Sequence, residues 1–280
     1  MSKIGKIGLG TVQFGIDYGI SNVSGKTPAN EVKKIIETCL DNGISILDTA
    51  SAYGDAEKVL GEIGIAGFKI VSKFMPTDTS EQLKNQLVDS LKNLNISQLY
   101  GYLAHRPLDL LTNNWTWKFL QDQKSSGTIK KIGYSLNSTF ELQKLLDSNI
   151  IPDIIQLPYN FLDRRFEKHF EYLKQNGVEI HARSVFLQGL FFSDVSNLHS
   201  FFNPVKDILI ELQRTTPNYK EELLDFVLAN PNIDFVIMGV ETSKQLLQNL
   251  KNACNDYNHL KSKAPGMIDE NIFVPSNWPK

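Results

Sequence analysis

Residues 27–48 read TPANEVKKIIETCLDNGISILD, a helix pattern followed directly by a strand pattern. The apolar side chains of the first part recur at the spacing of one helix face: Val32, Ile35, Ile36, Cys39 and Leu40. We expect Thr27 to cap this helix and Pro28 to lie in its first turn. The apolar run Ile44–Asp48 is typical of a buried parallel strand. The stretch therefore predicts a helix that packs on a sheet.

The same alternation of helix and strand patterns continues along the whole chain. Strands are predicted at Lys6–Val12, Ile44–Asp48, Phe68–Lys73, Gln98–His105, Lys131–Ser135, Asp153–Leu157, Val178–Arg183 and Asp234–Met238. This number of units fits a closed barrel better than an open doubly wound sheet, which usually has about five or six strands. We therefore predict an α/β fold, a single (β/α)8 TIM barrel over residues 1–280 with its functional site at the C-terminal face of the strands.

Two stretches are expected to lie outside the regular elements. The segment from Phe186 to about Lys206 is predicted to be a long irregular loop, placed where a barrel enzyme covers its substrate. Four phenylalanines of this loop are expected to be exposed: Phe191, Phe192, Phe201 and Phe202. The chain from about Lys261 to its end is expected to be an extended surface tail. Trp115 or Trp117 could line the substrate pocket, and packing of helix against barrel is the alternative.

Composition excludes several classes of partner. The formal net charge is −2, from 29 Lys and Arg against 31 Asp and Glu, so no bulk field attracts nucleic acid or an anionic membrane. No segment approaches the roughly 20 apolar residues that cross a bilayer. Cys39 and Cys254 lie far apart without the Cys or His neighbours of a zinc site, and no metal is expected. We expect a soluble cytoplasmic protein.

Four polar residues follow the predicted strands where a barrel places its active site: Asp48, Tyr53, Lys73 and His105. Each has an alternative structural explanation when taken alone. Asp48 and Lys73 could be an ion pair, Tyr53 a rim aromatic and His105 a core histidine. Placed together at the C-terminal end of the barrel, here called its mouth, the four side chains are suited to delivering a proton to a carbonyl oxygen. Lys73 would favour the phenolate of Tyr53, Asp48 would keep Lys73 charged, and His105 would orient the oxygen.

The same residues carry a resemblance to a known family. The matching segments are Gly8–Gly15, Leu47–Ala50, Tyr53-Gly54, Ser72-Lys73, His105–Pro107, Ile132–Ser135, Gln156 and Gly239. In these segments the chain resembles the aldo/keto reductases, barrel oxidoreductases that pass hydride between a nicotinamide and a carbonyl group. The resemblance implies that Tyr53 is the general acid and base, and that Asp48, Lys73 and His105 complete a catalytic tetrad. A Rossmann site is not expected, because Gln13 stands where that fingerprint has its third glycine.

The resemblance also implies a nicotinamide site. It assigns Ser135 and Gln156 to the carboxamide, and Arg183 to the position of a ring-stacking tyrosine. The further cofactor-binding residues implied are Gly10, Thr11, Ser184, Gly189, Gly239, Glu241, Thr242, Gln245 and Asn249. Family members that prefer NADP usually carry Lys or Arg where this chain has Glu241. The cofactor is therefore expected to be NADP or NAD, with the first favoured by the family and the second by Glu241.

The residues named above are compatible with three functions. The first is an NAD(P)H-dependent carbonyl reductase or alcohol dehydrogenase acting on a small-molecule carbonyl or alcohol. The second is a nicotinamide-binding, redox-sensing regulatory subunit. The third is a barrel lyase that uses Lys73 as a Schiff base, although Asp48 should keep that amine charged.

Overall fold

The barrel predicted from the sequence is confirmed. The structure is a computed structural model, and it describes residues 2–20, 22, 24–253, 260, 266 and 268–279. Eight parallel strands close in chain order, with β8 bonded back to β1. They are β1 (Ile7–Gly10), β2 (Ile46–Asp48), β3 (Lys69–Phe74), β4 (Leu99–Ala104), β5 (Ile129–Ser135), β6 (Ile154–Pro158), β7 (Glu179–Arg183) and β8 (Phe235–Gly239).

Helices surround the barrel and cover its strands. In the part of the chain that the structure describes they are α1 (Ala29–Asp41), α2 (Ala56–Ile63), α3 (Ser80–Leu94), α4 (Asp109–Thr112), α5 (Asn114–Ser125), α6 (Thr139–Asp147), α7 (Glu167–Gln175), α8 (Asn203–Thr215), α9 (Tyr219–Leu228) and α10 (Ser243–Ala253). Capping boxes begin two of them, with Thr79 and Gln82 at α3 and Ser138 and Glu141 at α6.

The predicted start of α1 is wrong by one residue. Pro28, not Thr27, takes the N-cap position, because the extended backbone of Pro28 (ψ 145°) delays the helix to Ala29. The Thr27 amide instead donates to the Gln13 carbonyl at 2.9 Å. The predicted apolar face of α1 is buried except for Leu40, which is 47% exposed.

Alternation along the strands places the functional residues inside the barrel. Six strand residues form an apolar cluster separate from the main core: Ile46, Val71, Leu103, Ile154, Phe235 and Ile237. The residue two positions later on a strand shares the same face. Asp48, Lys73, His105, Gln156 and Gly239 each follow a member of this cluster by that step. They therefore form the next layer, at the C-terminal mouth.

The predicted irregular loop after β7 is largely structured. Residues Leu187–Phe192 and Ser200–Phe202 form 3₁₀ turns, and α8 begins within the predicted loop. Phe191 and Phe202 are buried, and Phe192 and Phe201 are partly buried against the same core. The expectation of exposed phenylalanines is therefore wrong, because their rings complete the packing of the turns onto the barrel.

Two further aromatic segments pack on the core. Trp115 and Trp117 are half-buried against it, which agrees with helix packing. The C-terminal residues 268–279 also differ from an extended surface tail, whose predicted start, Lys261, lies outside the described residues. They contain 3₁₀ turns at Glu270–Phe273 and Pro275–Asn277. Phe273 and Trp278 are buried, and these buried aromatic rings hold the segment on the barrel.

The described residues contain neither a membrane-spanning helix nor a cluster of metal-binding side chains. Among them, no helix combines the length and apolarity needed to cross a membrane. The same residues contain no group of three or more His, Cys, Asp or Glu side chains that could hold a metal ion. Cys39 is a buried free thiol, and Cys254 lies outside the described residues.

Candidate active site

Four residues predicted from the sequence meet at the mouth of the barrel. The Lys73 ammonium lies 2.6 Å from Asp48 Oδ1 and donates to the Thr49 carbonyl at 2.8 Å. It also lies 3.4 Å from the hydroxyl of Tyr53. Asp48 and Lys73 are 3% and 0% exposed, whereas Tyr53 is only half-buried. A buried ion pair thus supports a phenol that faces the mouth.

Electrostatics keep the ammonium of Lys73 charged. Burial alone would lower the pKa of this group, but the charge of Asp48 and the contact with Tyr53 outweigh burial and raise the pKa above its ordinary value. A protonated amine cannot attack a carbonyl carbon. The surroundings of Lys73 therefore suit a positioned cation and not a Schiff-base nucleophile.

The imidazole of His105 is held neutral. Burial, together with the positive charges of Lys73, Arg183 and Arg106, lowers its pKa to about 3. The ring lies edge-on to Tyr53, with 5.9 Å between centroids. Its Nδ1 atom is buried without a hydrogen-bond partner among the described residues. A neutral ring beside the phenol can donate a hydrogen bond from one nitrogen at ordinary pH.

Two glycines fix the loop that carries Tyr53, and sequence reasoning missed this role. A Cβ atom on Gly15 would lie 1.7 Å from the Tyr53 carbonyl oxygen and 2.7 Å from the Ala56 nitrogen. Gly54 has a φ of 56°, and a Cβ atom there would lie 2.5 Å from the Gly15 carbonyl oxygen. The loops after β1 and β2 are thus in backbone contact, which sets the position of the phenol.

Gln156 lies beside the ion pair. Its Nε2 donates to Asp48 Oδ2 at 2.7 Å, so the carboxylate is held from both sides by Lys73 and Gln156. Ser135 is its register partner on β5, and both residues are buried at the ends of their strands. The structure thus brings the two predicted carboxamide-binding residues together, and it adds a contact to Asp48 that the sequence did not indicate.

Arg183 ends β7 with its guanidinium tied to the loop after β5. Nη2 donates to the Leu136 carbonyl at 2.8 Å and to Asn137 Oδ1 at 2.6 Å, while Nη1 donates to Ser184 Oγ at 3.0 Å. These bonds fix the plane of the guanidinium at the mouth. Arg183 therefore links the ends of β5 and β7, a role that the sequence did not predict.

The segment after Arg183 has an unusual backbone. Ser184, Leu187 and Gln188 have φ values of 60°, 45° and 52°, and Gly189 follows at 93°. Non-glycine residues rarely adopt this left-handed region, so surrounding contacts must hold the segment in place. One such contact is made by Gln188 Nε2, which donates to the Tyr18 hydroxyl at 2.8 Å. Tyr18, in the loop after β1, was not predicted as a site residue.

The junction of β1 and β8 contains an unsatisfied buried oxygen. Gln13 Oε1 has no partner among the described residues. A Cβ atom on Gly239 would lie 2.6 Å from this oxygen, so the absence of a side chain at Gly239 makes room for Gln13. Gly10 pairs with Gly239 in register, and Thr11 Oγ1 donates to the Asp48 carbonyl at 3.0 Å. Gln13 thus offers a hydrogen-bond acceptor at the mouth.

The other predicted cofactor residues lie in the turn between β8 and α10 and in the first half of α10. The Glu241 amide donates to Gln245 Oε1 at 2.7 Å, and the Gln245 amide donates to Thr242 Oγ1 at 3.1 Å. Asn249 Nδ2 lies 3.8 Å from the sulfur of Met238. These predicted residues therefore contact one another or β8.

A contact between Glu31 and Ser243 at the same turn was also missed. Glu31 belongs to the first turn of α1, and its Oε1 accepts from the Ser243 amide at 2.8 Å and from its hydroxyl at 2.7 Å. The two residues are 212 positions apart, so only the closed barrel brings them together.

Comparison with known proteins identifies the family. The sequence model of the aldo/keto reductase family matches residues 6–270. Aldo-keto reductase YhdN of Bacillus subtilis (strain 168) is 25% identical over 215 residues, which cover 70% of this chain and 62% of that protein. Glyoxal reductase of the same organism is 30% identical over 168 residues, which cover 57% of this chain and 60% of the relative. The chain thus spans about three fifths of the length of these curated relatives.

Solved structures share the fold. The crystal structure of an aldo-keto reductase from Klebsiella pneumoniae in complex with NADPH superimposes with a TM-score of 0.69 at 22% sequence identity, over 91% of this chain and 88% of that one. At this identity the likeness shows the common barrel. The family match covers well over half of the sequence, and this chain therefore belongs to the aldo/keto reductase family.

Proposed function

We propose that the chain is an NAD(P)H-dependent carbonyl reductase that also works in reverse as an alcohol dehydrogenase, with Tyr53 as its general acid and base. The observation that carries this proposal is the chain of contacts from Asp48 through Lys73 to the hydroxyl of Tyr53, beside a neutral His105. Ion pair, phenol and imidazole are the groups that proton transfer to a carbonyl oxygen requires.

Each residue has a distinct part in the reduction. The bound nicotinamide nucleotide supplies the hydride for the carbonyl carbon. The Tyr53 hydroxyl gives its proton to the carbonyl oxygen, and the positive charge of Lys73 stabilises the phenolate left behind. Asp48 holds Lys73 in place, and His105 donates a hydrogen bond to the same oxygen before and during the transfer. The product is an alcohol, and Tyr53 regains its proton from solvent.

The mouth has polar groups suited to a nicotinamide nucleotide. Gln13 Oε1 and His105 Nδ1 are buried without partners among the described residues, and a bound ligand could satisfy them. Barrel enzymes often bind phosphate between the loops after the seventh and eighth strands. The residues proposed to contact the cofactor are Gly10, Thr11, Ser135, Gln156, Arg183, Ser184, Gly189, Gly239, Glu241, Thr242, Gln245 and Asn249. The Klebsiella relative, solved with NADPH, supports the nucleotide class.

The substrate class follows from chemistry and from relatives. Proton delivery by Tyr53 requires an aldehyde or ketone oxygen within hydrogen-bond distance of its hydroxyl. One curated relative is named a glyoxal reductase and another a methylglyoxal reductase, both for small dicarbonyls. We therefore propose small aldehydes and ketones as substrates. We also propose the cytoplasm as the location, because the balanced charge and the reduced thiol chemistry fit that compartment.

The test compares wild type with Tyr53→Phe on glyoxal, methylglyoxal and simple aldehydes, with NADH and NADPH, by loss of nucleotide absorbance. Removal of the acid should lower turnover by a factor of about 10² to 10⁴ while leaving nucleotide affinity unchanged. Tyr172→Phe, at an exposed tyrosine of α7, is the matched control and should keep full turnover. Equal turnover in wild type and Tyr53→Phe would exclude Tyr53 as the acid. Nucleotide binding without turnover on any carbonyl would favour a redox-sensing role.

A further inference from the structure

A glutamate is buried between α2 and the barrel wall. Glu57 is 4% exposed, whereas Glu62 of the same helix forms an exposed ion pair with Lys58. Burying a carboxyl group costs free energy unless hydrogen bonds offset the loss of water. The proposed proton transfer does not use the carboxyl group of Glu57, so its burial points to another role.

The hydrogen-bond partner of Glu57 is the residue directly before Lys73. Ser72 Oγ donates to Glu57 Oε1 at 2.5 Å, and Ser72 is fully buried. Successive side chains of a strand point to opposite faces, so Lys73 points into the barrel and Ser72 points out toward the helices. The bond therefore fastens the first turn of α2 to the strand that carries the ammonium.

The loop that carries Tyr53 is thus held to β3 at both of its ends. At its start, the Ser51 amide donates to the Lys73 carbonyl at 3.0 Å. At its end, Glu57 follows Tyr53 by four residues and is bonded to Ser72. Tyr53 and Lys73 are therefore connected through Glu57 and Ser72 by a short path that runs outside the barrel interior.

The contact at the end of this path is a long one. The Lys73 ammonium lies 3.4 Å from the hydroxyl of Tyr53 and 5.0 Å from the centroid of its ring. Hydrogen bonds between nitrogen and oxygen rarely exceed about 3.2 Å, so a small displacement of the loop would break this contact. A catalytic group that is misplaced by about 1 Å can lower a rate by a factor of about 10².

Burial disfavours a charge on the carboxyl group of Glu57. Burial raises the pKa of this group, and the hydrogen bond from Ser72 and the charge of Lys73 act against the rise without cancelling it. The titratable groups that face it from the packed elements are Lys73 of β3, Asp89 of α3 and Tyr102 of β4. The acceptor oxygen of Glu57, and not its charge, is therefore the property that its surroundings favour.

We propose that Glu57 is a positioning residue which, through Ser72, sets the separation between the Tyr53 hydroxyl and the Lys73 ammonium. It touches neither substrate nor nucleotide and acts through the two elements that it joins. The inference rests on the proposed function, because this separation affects turnover only if Tyr53 transfers the proton.

The test compares Glu57→Met and Glu57→Gln with wild type in carbonyl reduction and in alcohol oxidation. Glu57→Met keeps the length of the side chain but removes the acceptor, so kcat should fall about tenfold while nucleotide affinity stays unchanged. Glu57→Gln keeps an acceptor oxygen for Ser72 and should recover most of this loss. Glu62→Met is the matched control, because it makes the same change at an exposed glutamate of α2.

The pH profile separates a positioning role from a merely structural one. Alcohol oxidation needs Tyr53 as a phenolate, and the charge of Lys73 stabilises that form. If the two groups move apart in Glu57→Met, oxidation should reach half of its maximum at a higher pH than in wild type. A loss of folded protein alone would lower the rate at every pH without moving this midpoint.

A double variant keeps the test valid if Glu57→Met folds poorly. Ser72→Ala in the Glu57→Met background removes the donor together with the acceptor, so no buried polar group of this pair is left unpaired. The double variant should fold, and its kcat and pH midpoint should match those of Glu57→Met, since both changes break one bond.

The outcomes separate the inference from the proposed function. A Glu57→Met variant with the kcat and the pH midpoint of wild type overturns the inference, and so does a Glu57→Gln variant as impaired as Glu57→Met. If wild type reduces no carbonyl, or if Tyr53→Phe keeps full turnover, the proposed function itself fails.

Discussion

The two sides of the barrel mouth are built in different ways. On the side of β2, β3 and β4, functional side chains come directly from strand ends, and Asp48 and Lys73 are almost fully buried. On the side of β7 and β8, the walls are loops held by contacts between distant residues, such as Tyr18 with Gln188. The first side is fixed by the barrel itself, whereas the second also depends on hydrogen bonds between exposed side chains of different loops.

This difference corresponds to two tasks in the proposed reaction. Proton transfer needs groups held in place before substrate arrives, because reorganisation during the reaction would raise the barrier. Nucleotide exchange needs walls that can move, and contacts between exposed side chains, such as that of Tyr18 with Gln188, can break without opening the core. We therefore expect changes on the strand side to affect folding and chemistry together, and changes on the loop side to affect nucleotide exchange alone.

The largest effect is expected from Lys73→Met on the strand side. The variant leaves Asp48 as a buried charge without its cation, which should lower the free energy of unfolding by about 3 kcal/mol and abolish carbonyl reduction. Urea unfolding and turnover assays measure the two effects. Lys118→Met, at an exposed ion pair on α5, should change stability by less than about 0.5 kcal/mol.

A double variant separates the two effects of Lys73. Asp48→Asn in the Lys73→Met background removes the buried charge, so most of the lost stability should return while turnover stays absent. If Lys73→Met lowers the free energy of unfolding no more than Lys118→Met does, the ion pair does not hold the strand side. That result would remove the contrast between the two sides.

An intermediate effect, a loss of folding stability as pH falls, is expected from His105. Its folded pKa of about 3 lies below the ordinary 6.5, so the unfolded chain takes up a proton that the folded chain does not. The stability that depends on this residue is therefore full above about pH 6.5 and declines as pH falls toward 3, by about 3 kcal/mol at pH 4.5. Urea unfolding of wild type and His105→Gln at about pH 7 and 4.5 should show a smaller decline in the variant. Equal declines would mean that His105 is not held neutral.

Sequence reasoning succeeded on the strand side for a physical reason. Parallel strands of a barrel end at one face, and alternation places every second residue inside. Asp48, Lys73 and His105 could therefore be placed together from their positions in three strand patterns. Their shared orientation needed no knowledge of loops.

The loop side could not be predicted in the same way. Glu31 and Ser243 are 212 positions apart, and Tyr18 and Gln188 are 170 apart, so no local pattern links either pair. The Thr27 cap failed because the prediction did not allow for the extended backbone that Pro28 adopts. Loop contacts of this kind are set by the closure of the whole barrel, which the sequence indicates only as a fold class.

Tyr18→Phe is expected to have the smallest effect, a change in the rate of nucleotide dissociation. It is also the sharpest test of the loop side. The change removes the acceptor for Gln188 Nε2, a bond between exposed side chains that ties the loop after β7 to the loop after β1 and that water replaces at little cost to the fold. Nucleotide dissociation, measured by stopped-flow fluorescence, should therefore speed up several-fold while urea unfolding stays unchanged. Tyr172→Phe, at a tyrosine 46% exposed on α7, should leave both quantities as in wild type. A Tyr18→Phe variant that destabilises the fold without faster dissociation would show that this contact supports the barrel, and that the two sides do not differ as argued.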